Sequence, residues 1–288
     1  MSILLDSRSR ILVHGNSTPL ARYQCSEMLR LGTGLAGTVG TCSANPLAGV
    51  PHFATTAEAV AETGAEVSLV FNQGLDVLVT VCAVIDAGIG LIICLSEDVP
   101  VHDCLLMGHR ARQHGALLIG PGSTGVLSPG KAKAGFFCES LCIPGDIGIV
   151  TKSGSVGYAV MSELKDAGMG ISTVVGLGGG AVKGTDFCWP LKLFESDSET
   201  RAIVMLGEIG GNDEERAADY ISSAIGKPVV AFVAGRSVPP GQSMGHAGAI
   251  TRRGHGDYAS KIKHLQASGI RIASNLGEIA RLLKPPSP

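Results

Sequence analysis

The chain has 288 residues, of which 45% are hydrophobic and 17% charged, enough to bury two cores and far from a disordered composition. A formal charge of −2 and 4% aromatic residues offer no bulk attraction to nucleic acid or to an anionic membrane surface. The start, MSILLDSRSR, has only a short apolar run followed by charge, and runs such as LIICL are too short to cross a bilayer; a soluble, cytoplasmic protein is expected.

Short β-branched runs alternate with helical periods from the start. RILVHG (residues 10–15) reads as a strand and residues 18–32 as a helix stopped by glycine. A strand follows over 34–40, and then a helix over 55–64 with a threonine cap and a glycine stop. Strands over 66–71, 91–96 and 116–120 then alternate with helices over 75–88 and 101–115. Five such strand–helix units assemble most naturally into a parallel sheet, because parallel neighbours need a crossover helix. Over residues 122–145 the periodicity fails and Gly, Pro and Ser gather, so this segment is expected to link a domain of residues 1–121 to one of residues 146–288. The second domain repeats the alternation, with strands over 146–154, 171–179, 201–210, 228–235 and 270–274. Its helices are expected over 155–168, 186–196, 212–226, 256–269 and 276–283.

Ligands of open parallel sheets sit beyond the carboxyl ends of the strands, where helix N-termini point. Three strand ends of the second domain carry suitable chemistry. Ser153, Gly154 and Ser155 open a helix and offer backbone N–H groups and hydroxyls to an anion. Glu208 stands alone between glycines in GEIGG, and His246 sits in the bare loop SMGHAGAI. A carboxylate bonded to one imidazole nitrogen fixes the tautomer and leaves the other nucleophilic. A lone histidine in a glycine-rich loop also fits a plain surface position, but its convergence with Glu208 and the Ser-Gly-Ser helix start favours a phosphoryl acceptor. Eight cysteines, with only Cys138 and Cys142 closely spaced, suggest reduced thiols and no metal site. Arg252 and Arg253 read either as a solvated face or as a grip on a substrate carboxylate or a nucleotide phosphate.

The segments GEIGG, KPVVAFVAG, MGHAGAI and AVIDAGIGLIICLSEDVP, with GPGSTGVLSPG, resemble the α subunit of succinyl-CoA synthetase and its relatives, the NDP-forming acyl-CoA ligases, almost from end to end. The resemblance implies an α/β chain with an N-terminal Rossmann-like CoA-binding domain and a flavodoxin-like, doubly wound ligase domain. It implies that His246 is phosphorylated, that Glu208 orients it, and that Ser153, Gly154 and Ser155 hold the phosphate. An ATP-grasp β subunit would bind ATP or GTP with Mg²⁺, and the phosphohistidine would convert a small carboxylic acid to an acyl phosphate that CoA attacks. The implied CoA contacts are Gly15, Ser17, Thr18, Arg22, Gly122 and Ser123.

The likeness is weakest where CoA should bind. The family's glycine-rich first loop becomes GNSTPLARYQ, with Thr18 and Ala21 at two glycine positions and Pro19 between them. Its lysine-bearing segment becomes GTCSANP, its Asn–Cys pair becomes Gly122–Ser123, and Gly180 replaces an acid. The same phosphohistidine chemistry with a different acceptor (an amine, another thiol or a carrier protein) is therefore an alternative, as is a non-catalytic module that binds CoA or phosphate. A lyase of the citrate-cleaving kind would share the histidine step but would need a further domain.

Overall fold

The computed structural model describes residues 2–40, 47, 49–239, 242–251 and 256–284. The chain forms two compact units, a first of Leu4–Phe137 with Val182–Thr185 and a second of Met1–Ile3, Cys138–Ala181 and Asp186–Pro288.

The first unit runs β1 (Arg10–His14), α1 (Pro19–Arg30), β2 (Gly34–Val39), β3 (His52–Phe53), α2 (Thr56–Thr63), β4 (Val67–Val70), α3 (Val77–Asp86), β5 (Leu91–Cys94), α4 (Val101–Gln113) and β6 (Leu117–Ile119). Local chemistry sets the helix starts. Thr18 caps α1 by accepting the Ala21 N–H at 3.1 Å, and Pro19 takes a first-turn position where its missing donor costs nothing. Thr55 caps α2 in the same way, and Gly64 ends that helix in the left-handed region at φ 61°. The strands are nearly continuous apolar runs because helices cover both faces of a parallel sheet. Leu12, Val70, Val81, Val84, Ile92 and Met107 lie in the resulting core. The strand order is β3-β2-β1-β4-β5-β6, with every neighbouring pair parallel. This is the Rossmann order, and its crevice opens between the ends of β1 and β4.

The segment expected as a linker over 122–145 is folded. It carries an antiparallel hairpin, β7 (Gly125–Ser128) and β8 (Ala132–Gly135), closed by the Lys131 N–H donating to the Ser128 carbonyl at 3.0 Å. The first unit continues to Phe137 and reclaims Val182–Thr185. The pattern is hidden because both hairpin strands are wholly buried and one contains a lysine. Lys133 donates from Nζ to Gln24 Oε1 at 2.8 Å, so a charged residue occupies a core position.

The second unit runs β9 (Pro144–Thr151), α5 (Gly154–Asp166), β10 (Ile171–Gly176), α6 (Cys188–Ser196), β11 (Ala202–Glu208), α7 (Asp213–Ala224), β12 (Val229–Ala234), α8 (Tyr258–Ala267), β13 (Arg271–Ile272) and α9 (Glu278–Leu283). These strands are parallel in the order β13-β12-β11-β9-β10. Counted within the unit this is 2-1-3-4-5, the flavodoxin order, with its switch point between β9 and β11. Phe187 and Phe194 are fully buried, each contributing about 1.5–3 kcal/mol of apolar burial. No helix among the described residues is long and apolar enough to cross a membrane.

Candidate functional site

The switch point of the second unit holds the histidine. Glu208 is the last residue of β11, and its carboxylate is 3% exposed. Its Oε2 lies 2.6 Å from Nδ1 of His246, whose side chain is 33% exposed. The loop is anchored on both sides of the ring. Ser243 and Ile250 form an isolated antiparallel bridge, the Ala249 N–H donates to the His246 carbonyl at 3.0 Å, and the Gly248 N–H donates to Gly179 at 3.1 Å. The ring itself lies on Gly179. A Cβ there would come within 2.2 Å of the imidazole Cγ and Nδ1, so glycine is required by this contact.

These two contacts locate the imidazole relative to the sheet. Gly179 follows β10, Glu208 ends β11, and β9 lies between them. The ring therefore overhangs the end of β9, from which the chain continues into Ser153, Gly154 and Ser155. Thr151 shapes that turn, its Oγ1 accepting the Ser153 N–H at 3.1 Å and donating to the Ser153 carbonyl at 2.8 Å. Ser153 is the N-cap residue of α5 but makes no side-chain cap; its hydroxyl pairs with that of Ser155 at 3.1 Å. Among the described residues, the Ser153 side chain thus leaves the first-turn N–H groups of α5 uncapped, at the positive end of a 13-residue helix. A part-exposed imidazole, a buried carboxylate bonded to its Nδ1 and the start of a helix are gathered at one edge of the sheet.

In the first unit, a cavity of about 420 Å³ opens beyond β1, β4 and β5. Its lining includes Thr18, Ala21, Asn72, Ser96, Glu97 and Asp98. Of the six CoA contacts expected from the sequence, Thr18 lines this cavity. Gly15, at φ 76°, meets the backbone at Asn72 so closely that a Cβ would lie 2.5 Å from its nitrogen; this glycine serves packing. Ser17 is exposed, and its carbonyl accepts the Arg22 guanidinium, which folds back onto the loop. Gly122 donates its N–H to Ser96 at 2.9 Å and faces the Glu97 carboxylate. Ser123 is buried, its hydroxyl accepting the Gly125 N–H at 2.8 Å. Arg252, Arg253 and residues 41–46 lie outside the described residues.

Sequence reasoning missed Asn72, Ser96, Glu97 and Asp98. Their only signal was position, since they follow β4 and β5 at the carboxyl edge of the sheet. Asn72 Oδ1 is buried without a hydrogen-bond partner among the described residues. With the carboxylates of Glu97 and Asp98 it makes the cavity rich in acceptors, and the lining contains no lysine or arginine. That chemistry fits the donors of CoA (pantetheine amides, ribose hydroxyls and the adenine amino group), and its phosphates would rely on the start of α1. No group of three or more His, Cys, Asp or Glu able to hold a metal ion occurs among the described residues.

Comparisons with known proteins agree with this architecture. The family described as CoA-ligase matches residues 150–271, the span from β9 to β13. The chain is 43% identical to succinate–CoA ligase [ADP-forming] subunit alpha 2 of Archaeoglobus fulgidus, over 98% of this chain and 99% of that protein. It is 37% identical to succinate–CoA ligase [ADP-forming] subunit alpha of Staphylococcus aureus, over 98% and 94% respectively. Among solved structures it resembles ATP citrate lyase from Methanothrix soehngenii, at a TM-score of 0.87 and 21% identity, covering 98% of this chain but 50% of that one. It also resembles a dinucleotide-forming acetyl-coenzyme A synthetase of Ca. Korarchaeum cryptofilum, at a TM-score of 0.79 and 22% identity, covering 95% of this chain and 59% of that one. The chain thus spans little more than half of these two solved chains, and at such identities the likeness is one of fold.

Proposed function

Because this chain belongs to the family of succinate–CoA ligase α subunits, we propose that it is the phosphoryl-carrying subunit of a carboxylate–CoA ligase and that His246 carries the phosphoryl group. The observation that carries the reading is the 2.6 Å contact between Nδ1 of His246 and Glu208 at the switch point. With the Nδ1 proton held on the carboxylate, the tautomer places the lone pair on Nε2. Nε2 attacks the γ-phosphorus of a nucleoside triphosphate held with Mg²⁺ by an ATP-grasp β subunit. The N–P bond forms, the bond to the leaving diphosphate oxygen breaks, and Glu208 stabilises the charge that develops on the ring. The start of α5, with Ser153 and Ser155, receives the phosphoryl oxygens.

A carboxylate oxygen of a small acid then attacks the same phosphorus, the N–P bond breaks, and His246 returns with its Nδ1 proton in place. Acyl transfer to a thiol with loss of phosphate completes the sequence; CoA supplies that thiol. Thr18, Ala21, Asn72, Ser96, Glu97 and Asp98 would hold it in the first unit. The relatives named above are ADP-forming and named for succinate, and we assign this chain a small carboxylic acid of that class. The described cysteines are free thiols, as suits work in the reducing cytoplasm.

The test is incubation of the full chain and its β partner with γ-labelled ATP. Acid-labile, base-stable label is expected on the wild type, attached at Nε2, and none on His246→Ala. Label that persists in His246→Ala, or none on the wild type with a competent partner, overturns the reading.

A further inference from the structure

Beneath the histidine lies a group of charges that the chemistry above does not use. Glu214, in the first turn of α7, is fully buried. Its Oε1 accepts Lys152 Nζ at 2.9 Å and the backbone N–H of Glu208 at 3.1 Å. Its Oε2 accepts Lys261 Nζ, from α8, at 2.6 Å. Lys152 also reaches Asp213 at 3.1 Å, and Lys261 reaches Glu215 at 2.8 Å and the Gly211 carbonyl at 3.2 Å. Both lysine side chains are nearly or wholly buried. Burial alone would pull the Lys152 ammonium down, but the Glu214 and Asp213 carboxylates outweigh it and hold its pKa above the ordinary value.

The sheet explains why a carboxylate is needed here. The β11–β9 ladder ends at the Leu206–Thr151 pair, two residues before Glu208. Ile209 donates its N–H to Ala234, the last residue of β12, so the Glu208 N–H points toward the β9 side, where the β11–β9 ladder has run out. A buried donor there must find another acceptor, and Glu214 supplies it. Gly207 makes the approach possible, since a Cβ at that position would lie 2.5 Å from Glu214 Cγ. The same carboxylate holds Lys152, the residue immediately before Ser153.

We propose that Glu214 is a positioning residue for the Glu208–His246 pair: it clamps the end of β11 to the residue that precedes α5, fixing the orienting carboxylate in register with the helix start. The functional consequence rests on the phosphohistidine reading, whereas the geometric one does not. Without the clamp the Glu208 backbone is released, its carboxylate loses its line to Nδ1, and the imidazole loses its preference for the Nδ1–H tautomer.

Two-dimensional ¹H–¹⁵N spectra of neutral His246 in the full chain, assigned with His246→Ala, read that tautomer directly. The main variant is the set Lys152→Met, Glu214→Leu, Lys261→Met, which removes the clamp together with its buried charges and leaves Asp213 and Glu215, each about one fifth exposed, without these two lysines. Its Nδ1–H to Nε2–H ratio is expected to fall at least about fivefold from wild type, a shift of about 1 kcal/mol. Glu214→Gln, which keeps an acceptor for the Glu208 N–H, is expected to preserve the wild-type ratio. Glu215→Gln, which loosens Lys261 without touching Glu208, is expected to do the same. Should this set not fold, Glu214→Asp keeps the charge but withdraws it by one methylene, and the same fall is expected. A wild-type ratio in either folded variant overturns the proposal. Glu208→Leu, which leaves no acceptor for the Nδ1–H, separates the two readings: if it leaves the ratio unchanged, the orienting role of Glu208 fails, whatever Glu214 does.

Discussion

Each unit brings a histidine to the carboxyl edge of its sheet, and the two differ in burial and in what they are given to bond. His14 ends β1 and is buried, its Nε2 3.1 Å from the Thr56 hydroxyl and its Nδ1 3.1 Å from the Ser68 hydroxyl. Burial with neutral partners pushes its pKa down to about 4, so the ring is held uncharged. His246 is part-exposed and its Nδ1 is bonded to the Glu208 carboxylate, which fixes the tautomer of the neutral ring. The carboxyl edge of a sheet thus holds an enclosed, neutral ring in one unit and, on the proposed reading, the phosphoryl acceptor in the other. Strand topology supplies the place, and the partner atom supplies the chemistry.

The largest test of this contrast removes the charge of the partner and keeps an acceptor. Glu208→Gln is expected to slow phosphorylation of His246 about 10²-fold while the chain stays folded, read as the initial rate of label incorporation with saturating β partner. A rate within a factor of two of wild type would show that the carboxylate is not what separates the two histidines.

The next test reads the neutral histidine through stability. The folded pKa of His14, about 4, lies below the ordinary 6.5, so the unfolded state binds the proton first. Its contribution is complete above about pH 6.5 and is lost as pH falls toward 4, by about 3 kcal/mol in all at ~1.36 kcal/mol per unit. His14→Asn should flatten that part of the stability profile. The single tryptophan, Trp189, lies in the second unit on α6. Urea unfolding followed by tryptophan fluorescence should therefore show little change, while circular dichroism, which sees both units, should show the difference.

The smallest effect concerns the first-unit cavity. Glu97→Ala is expected to raise the Kd of CoA about tenfold, the loss of one charge-assisted hydrogen bond, as measured by calorimetry. Tighter binding would mean that Glu97 repels phosphate rather than receiving a donor, and would favour an acceptor other than CoA.

Much of this was legible in the residues. The alternation of strands and helices placed β1, β2, β4 to β6 and β9 to β13, helped at some helix ends by a clear cap or stop, as Thr18, Thr55 and Gly64 show. The two-residue β3 is too short to leave a period, so it was missed, and the β7–β8 hairpin was read as a linker because Lys133 and the Ser-Pro-Gly turn look solvated. His246 and Glu208 could be paired from sequence because glycines isolate both. Glu214 could not, since NDEER reads as an ordinary acidic first turn of a helix.

The sequence by itself determined the two α/β units, the strand ends where chemistry gathers and the identity of the histidine and its carboxylate, because these follow from local periodicity, capping and small-residue loops. Only the tertiary structure decided that β9 lies between the strands whose ends hold His246, that Gly179 must lack a side chain, and that a buried Glu214 secures the Glu208 backbone. Those facts join residues far apart in the chain, such as Glu208 and His246 at 38 positions, or depend on where a strand ladder runs out, and no local pattern records where two strands part.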